Sequence, residues 1–549
     1  MFSQLSFAGS SKISPDLQTV PASDRVSVIV EFSGAAYSRI AVDAAKFRGL
    51  AVDVKAALPS VRSHVVSVWA RDLESIAADA DVIAIRPDRL LRSTSFTGSF
   101  DYGWVVTGAE AAANSGLDGR GIGIAVLDSG VDAHPDLNGS GSRVRFAANF
   151  SLNETNAADG YGHGTHVAGI IAGSGLSSQT SGGLVQVRGI APGAHLVSLR
   201  VLDRNGEGSD SAVIRAIEKA IELKDIYNIR VLNLSLGRPV YESYVTDPLC
   251  RAVERAWEAG IVVVAAAGND GRDDRFGTKG YGTITAPGNS PRVITVGAMN
   301  TVGTSGRADD KIASYSSKGP TAVDHIVKPD LVAPGNAVVS LLSKRSTLAG
   351  LYADNIAPVW MFRGNSGANS GYLQLSGTSM AAAMVSGAAA LLVQNNPEIT
   401  PDLVKYRLMK NAFRGLPMEM QATDPVTGIT YLSKADPFTV GAGYLDILAA
   451  AADKTVPSGL STSPSAIYSP ASGEVSLVYS SAAMWGTSAM WGTAAMWGTA
   501  AMWGTSAMWG TSAMWGTAAM WGTAAMWGTA AMWGTSTPQG LAVDENGDR

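Results

Sequence analysis

The chain has 549 residues, 46% of them hydrophobic, and a mean hydropathy of +0.11; that is ample material for a large core and argues against wholesale disorder. Lys plus Arg total 42 against 47 Asp plus Glu, a net charge of −5, so no basic excess exists to neutralise a phosphate backbone, and nucleic acid is disfavoured as a partner. A single cysteine, Cys250, rules out an intramolecular disulfide and a cysteine-cluster zinc site.

Residues 1–25 are polar and Ser-rich, and are expected to be a loosely ordered N-terminus. They show no basic stretch followed by an apolar one, so no signal peptide is read there. No uncharged apolar run reaches the ~18 residues of a membrane span. Residues 26–92 have the texture of a small α+β, ferredoxin-like module. Val26, Val28, Val30 and Phe32 alternate with more polar neighbours as in a half-buried strand, Val65–Trp69 predicts a second, and Val82–Ile85 a third ended by Pro87. Asp72 stands where an N-cap would start a short helix bearing Leu73, Ile76 and Ala77 on one face.

From about 100 to 455, short apolar strands alternate with helical patterns. The strands read from GIGIAVLD (121–128), AHLVSLRVL (194–202), RVLNLSLG (230–237) and GIVVVAAAGN (260–269), with helices at Ser211–Leu223 and Asp247–Ala259. Nearly continuous Val/Ile/Leu/Ala strands predict a parallel sheet covered by helices on both faces, an α/β class. Functional groups in such sheets lie at the carboxyl ends of strands, where Asp128, Ser235 and Asn269 all fall. Cys250 shares a helix face with Leu249, Val253 and Trp257 and reads as an inert buried thiol. Lys405–Lys410 reads as a solvated basic helix face.

Residues 456–549 read as a Pro/Ser-rich linker followed by a low-complexity tail. MWGT(S/A)A recurs nine times at period six between Met484 and Met532, and residues 475–543 carry no charge. An even period keeps each residue on one face of a strand, so a stacked β-element, an adhesive tail or a glycan-binding aromatic platform stand beside plain disorder. Deletion of 456–549 is expected to leave activity nearly intact.

Three islands carry chemistry: AVLDSGVDAHPDL (125–137), GHGTHVAGIIAG (162–173) and SGTSMAAAMVSGAAALL (376–392). Acyl transfer needs a nucleophile, a base that takes its proton, and a third group that orients the base. A serine, a histidine and a buried aspartate supply these, and a serine at a helix N-terminus has free N–H groups nearby.

These islands closely resemble the subtilisin-like serine peptidases, whose chain order is likewise Asp, His, Ser. The resemblance covers about 100–455 and implies a subtilisin-like fold, serine endopeptidase activity on extended protein or peptide substrates, and a triad of Asp128, His163 and Ser379. VVVAAAGNDG (262–271) matches the family's oxyanion segment and makes Asn269 the side-chain donor. Substrate would be clamped as an added β-strand between Gly206-Glu207-Gly208 and Ser235-Leu236-Gly237, with Ala265, Ala266, Ala267 and Gly268 as a pocket wall. Glu207 and Asp270 are expected at the pocket rim. The 26–92 module resembles the family's inhibitory propeptide, which makes it a partner in cis and the chain a self-inhibited precursor. Enzymes of this kind are commonly exported, which implies a secreted product despite the missing signal segment. No cofactor or metal is needed for the chemistry. His134 and His166 fall at structural motif positions, whereas Asp136 matches a position that often binds a structural calcium. Loop 174–189 lacks the asparagine expected there.

The chain departs from the pattern at Ala383 and Met384, where Pro and His are usual. It departs again at Thr285, where some members have Gly and which predicts a shallower pocket, and in a longer 341–375 insertion. The alternative function is a binding or adhesion protein built on the tail, with the peptidase domain as scaffold.

Overall fold

The computed structural model describes residues 12–14, 17, 20–33, 52–58, 63–87, most of 103–478, 539–540 and 547–548. Single residues 140 and 153 and short stretches at 180–185, 275–276, 364–370, 457–458 and 470–473 are excepted. The repeat array therefore lies outside the described residues. Two compact units result, Met1–Arg92 and Ser93–Arg549.

In the first unit, β1 (Arg25–Phe32), β2 (Asp53–Leu58), β3 (Ser63–Trp69) and β4 (Val82–Pro87) form one antiparallel sheet in the order β2-β3-β1-β4. The alternation in β1 buries Val28, Val30 and Phe32 against Val66, Val68, Ile85 and the helix α1 (Leu73–Ala77). Two expectations are corrected. Asp72 precedes α1 already in helical geometry and makes no side-chain cap bond, so the helix runs straight out of the short 3-10 turn Ala70–Asp72. The segment expected to be loose contributes Ile13 and Leu17 to the core, and Ile13 bridges Ile85. Apolar residues widely spaced in a polar stretch carry no periodic signal, yet each fills a gap beside β4.

The second unit is built on a sheet of eight strands. β5 (Gly123–Asp128), β6 (Val144–Asn149), β7 (His195–Arg200), β8 (Ile229–Leu234), β10 (Val262–Ala266), β11 (Ile294–Asn300) and β12 (Lys311–Ile312) run in the order β12-β11-β10-β8-β5-β7-β6, and β13 (Leu331–Pro334) pairs with β11. All pairs are parallel except β11–β12. Every residue of β5 and β10 is buried, as expected for strands covered on both faces. The short strand β9 (Leu236–Gly237) continues beyond β8.

Helices α2 (His163–Ala172), α3 (Asp210–Glu222), α4 (Pro248–Glu258) and α5 (Thr378–Asn395) cover the sheet. α3 is capped by Ser209, whose side chain accepts from Ala212 N–H. α4 starts at Pro248 with the Asp247 carboxylate accepting from Leu249 and Cys250 N–H, an N-cap followed by proline at the first helical position. α5 is apolar on nearly all sides and buried through most of its length, so it sits inside the unit, against α2, β8, β10 and β11. Its alanines permit that close approach.

The insertion at 341–375 closes the antiparallel pair β14 (Val338–Leu341) and β15 (Tyr372–Leu375). Helix α6 (Pro401–Lys410) and hairpin β16–β17 (Glu419–Thr423, Thr430–Lys434) follow. The presumed solvated face is corrected here: Lys405 is wholly buried, its Nζ 3.1 Å from Asp330 Oδ1 and donating to Pro291 O and Ser463 Oγ. Lys410 does lie toward solvent, paired with Asp453 at 2.9 Å.

The linker reading from 456 is also corrected. Ser463 Oγ donates to Asp330 at 2.5 Å, Val327 N–H donates to Pro464 O, and the hairpin β18 (Ser465–Ser469) and β19 (Glu474–Val478) packs Ala466 onto Val327, Met409 and Phe438. Short Ser/Pro segments look like linkers because their burial comes from hydrogen bonds and not from apolar runs. A last two-residue strand, β20 (Gln539–Gly540), pairs antiparallel with β9.

Candidate active site

β5 ends on Asp128, whose backbone is fixed by parallel pairing with β7 and β8 and whose side chain is fully buried. His163 is the first residue of α2 and is equally buried. Its Nδ1 lies 2.8 and 3.0 Å from the two Asp128 oxygens, so Nδ1 carries the proton and donates. Burial depresses the imidazole pKa, but the Asp128 charge and hydrogen bond outweigh it and hold the ring above its ordinary 6.5. Nε2 is buried and has no hydrogen-bond partner among the described residues.

Asp159, which sequence reasoning missed, holds this arrangement. Its carboxylate accepts from Ser129 Oγ (2.7 Å), Gly162 N–H (2.7 Å), Thr165 N–H (2.8 Å) and Thr165 Oγ (2.6 Å). Ser129 in turn accepts from Gly164 N–H at 2.9 Å. A buried acid thus ties the start of α2 to the loop after β5, which fixes His163 against Asp128. The only trace in the sequence is an acid four residues before His163, indistinguishable from a loop residue.

Ser379 is the second residue of α5, 1% exposed, and its Oγ donates to Ser235 O at 3.2 Å. It makes no hydrogen bond to His163 in this state. Ser235 Oγ donates back to Ser379 O at 3.0 Å, locking the end of β8 to the start of α5. Asn269 follows β10, and its Oδ1 accepts from Thr378 N–H (2.9 Å) and Thr378 Oγ (3.0 Å). That anchoring turns the amide nitrogen toward the turn before Ser379, where a Cβ placed on Gly377 would stand 3.2 Å from Nδ2. Glycine at 377 keeps this space open.

Of the other expected residues, Leu236 and Gly237 form β9. They are braced by Arg238, which donates to Asp210 at 3.0 Å and to Asp247 at 2.9 and 3.0 Å. Gly206, with φ of +79°, turns under Tyr161, and Glu207 is exposed in the tight loop closed by Asp203 N–H to Glu207 O at 2.7 Å. Asp270 is exposed as well. Ala265, Ala266 and Ala267 are fully buried. Thr285 packs between the glycines of both pocket segments: a Cβ on Gly237 would meet its Oγ1 at 2.5 Å, and one on Gly268 its Cγ2 at 2.9 Å.

The remaining candidates have structural partners. His166 Nε2 faces the Val338 and Leu373 carbonyls, and burial with His163 nearby pushes its pKa to about 3. His134 Nδ1 accepts from Asp136 N–H and caps a short turn. Cys250 is buried, donates to Asn289 Oδ1, and has a thiol pKa pushed well up by burial. The Asp136 carboxylate accepts from Ser177 N–H and Tyr372 O–H, both at 2.7 Å, and the Arg143 guanidinium donates to Asp136 O. A carboxylate taken up by two donors, with its own backbone oxygen held by a guanidinium, is a poor fit to calcium, which needs several free oxygens.

The subtilase family model matches residues 119–443. The chain belongs to the subtilase family, the subtilisin-like serine endopeptidases. It is 42% identical over 300 residues to serine protease AprX of Bacillus subtilis (strain 168), covering 54% of this chain and 62% of that protein. It is 34% identical over 393 residues to subtilisin E of the same strain, covering 71% and 81% respectively. Subtilisin of Bacillus pumilus is 36% identical over 355 residues, covering 64% of this chain and 99% of that one. The chain thus spans less than two thirds of AprX but most of the subtilisins. No helix among the described residues is long and apolar enough to cross a membrane.

Proposed function

We propose that this subtilase hydrolyses peptide bonds of extended protein segments through an acyl-enzyme, with Ser379 as nucleophile, His163 as base and Asp128 as its orienting partner. The observation that carries the reading is the fully buried Asp128–His163 pair with Nε2 unpartnered. A carboxylate that fixes Nδ1–H leaves Nε2 as the lone-pair nitrogen, able to accept a proton. Ser379 Oγ rotates off the Ser235 carbonyl, attacks the scissile carbon and passes its proton to Nε2. The carbonyl oxygen becomes an oxyanion between Asn269 Nδ2–H and Ser379 N–H. The C–N bond then breaks as His163 returns the proton to the leaving amine, and water repeats the sequence in reverse to free the acid. Nothing in these steps needs a metal or cofactor. The scaffold alternative leaves the buried acid–imidazole pair without a use.

The test is active-site labelling of the folded chain, freed of residues 1–92, with a fluorophosphonate. Mass spectrometry of the digest is expected to find one adduct, on Ser379; labelling elsewhere, or none, overturns the assignment.

The first unit acts as the inhibitory propeptide in this reading. The order of its four strands supports a ferredoxin-like module, and such a module would hold the precursor inactive until export. Substrate would add as a strand along Leu236–Gly237 and Gly206–Gly208, with specificity set at the pocket behind Gly268. Thr285 narrows that pocket. Thr285→Gly is expected to raise kcat/KM for substrates with Phe before the scissile bond by roughly 10–100-fold relative to Ala, the range a methylene or two commands in an apolar pocket. Chromogenic tetrapeptides differing at that residue measure it, and an unchanged Phe/Ala ratio places Thr285 outside the pocket.

A further inference from the structure

Two pieces of the C-terminal segment lie on the catalytic unit, one against β9 and one against the turn before Ser379. The first is β20: Gln539 pairs with Gly237 and Gly540 with Leu236, antiparallel. This is main-chain pairing on the edge proposed above for substrate. At Gly540 the chain direction points toward Ser235, whose carbonyl holds Ser379 Oγ. The second is Gly547–Asp548. The Asp548 carboxylate, buried, accepts from Ser314 N–H and Ser314 Oγ (both 2.5 Å) and from Arg272 Nη2 at 3.0 Å. Its carbonyl accepts from Asn336 Nδ2 (3.0 Å) and Asn300 Nδ2 (3.2 Å), and its N–H donates to Asn336 Oδ1 at 2.6 Å. Gly547 has φ of +60°, and a Cβ there would stand 2.3 Å from Asn336 Oδ1 and 2.6 Å from Ser376 Oγ. Ser376 begins the SGTS turn that carries Ser379.

We propose that this segment is a built-in competitor for the substrate strand, anchored by a carboxylate site made of Arg272, Ser314, Asn300 and Asn336. The inference rests on the substrate edge assigned above. Two features argue that the site is built for an acidic main-chain segment. Every polar group of Asp548, side chain and backbone, meets a complementary partner, and the residue before it must be glycine. A strand on β9 excludes any other strand from the same N–H and C=O groups, and tethering makes the competition intramolecular.

The test has a catalytic and a non-catalytic arm. In the first, the chain freed of its first unit (residues 1–92) and its Asp548→Ala variant are compared on a chromogenic tetrapeptide. KM is expected to fall several-fold in the variant with kcat unchanged; equal KM values overturn the proposal. In the second, every chain likewise lacks residues 1–92 and carries Ser379→Ala, so neither the first unit nor turnover intervenes. A version ending at residue 537 is expected to bind a fluorescein-labelled peptide of residues 537–549, and the chain running to residue 549 to exclude it. The same peptide with Asp548→Ala should bind at least roughly tenfold more weakly, as loss of charge-assisted hydrogen bonds implies. Failure of the truncated chain to bind overturns the proposal. Absence of hydrolysis by any version bears on the enzymatic reading alone, because the binding arm still decides this one.

Discussion

Ser379→Ala and His163→Ala are each expected to lower kcat by roughly 10⁶-fold, and the double variant by no more than either alone, because the two groups act as one unit; this is the behaviour established for subtilisin itself. Asp128→Asn is expected to cost less, roughly 10⁴-fold, since it leaves the nucleophile and base in place but removes the carboxylate that selects the Nδ1–H tautomer. Single-turnover hydrolysis of a tetrapeptide anilide measures all four, with circular dichroism to confirm folding. A loss under about tenfold for His163→Ala would end the triad assignment, whatever Ser379 labelling showed.

The same geometry fixes a pH dependence. In the proposed role, His163 can accept a proton only when neutral. Burial alone would lower its pKa, but Asp128 reverses the sign and holds it above 6.5. Activity should therefore be complete at alkaline pH and fall as pH drops through a value above 6.5. The Asp128 charge supplies most of this upward shift and the Asp159 charge adds to it, so a substitution at Asp159 lowers the acid limb as well as loosening the start of α2, which Asp159 holds by four hydrogen bonds.

What was legible in the sequence follows from where each signal resides. Continuous apolar strands and capped amphipathic helices state their structure locally, so β5, β7, β8, β10, α3 and α4 all fall where the pattern puts them. Asp128 ends a strand and His163 and Ser379 open helices, so they sit at positions that local reading can find. Asp159 and Arg238 act through partners brought together by the fold, and a lone Asp or Arg in a loop carries no mark of that. β2 was missed because DVKAAL alternates poorly, and it exists by pairing with β3. Lys405 misled for a related reason. A lysine on an amphipathic helix usually faces water, and only the fold brings Asp330 and Ser463 to meet it.

That buried cluster carries the second large effect. Lys328 Nζ and Lys405 Nζ lie 2.7 and 3.1 Å from the two oxygens of Asp330, and all three side chains are fully buried. Burial pushes Lys328 down to about 7, with Asp330 pulling the other way. Removing the acid takes away the counter-ion of two buried lysines, one of which must then shed its proton while the other stays charged and unpaired, so Asp330→Asn is expected to cost about 3–5 kcal/mol, which lowers Tm by roughly 5–10 °C in a unit of this size. Ser463, which donates to Asp330 and accepts from Lys405, belongs to the same cluster, so deletion of 456–549 is expected to cost stability. A chain ending at 455 loses Ser463 and the β18–β19 hairpin that covers Val327, Met409 and Phe438, whereas one ending at 480 keeps both. Both give up the β20 and Asp548 contacts, and beyond that shared loss the first should lose at least as much stability as Asp330→Asn. Thermal unfolding in the Ser379→Ala background, where self-digestion cannot intervene, separates them. Equal Tm values for the two truncations would show that the hairpin and Ser463 add nothing to the core.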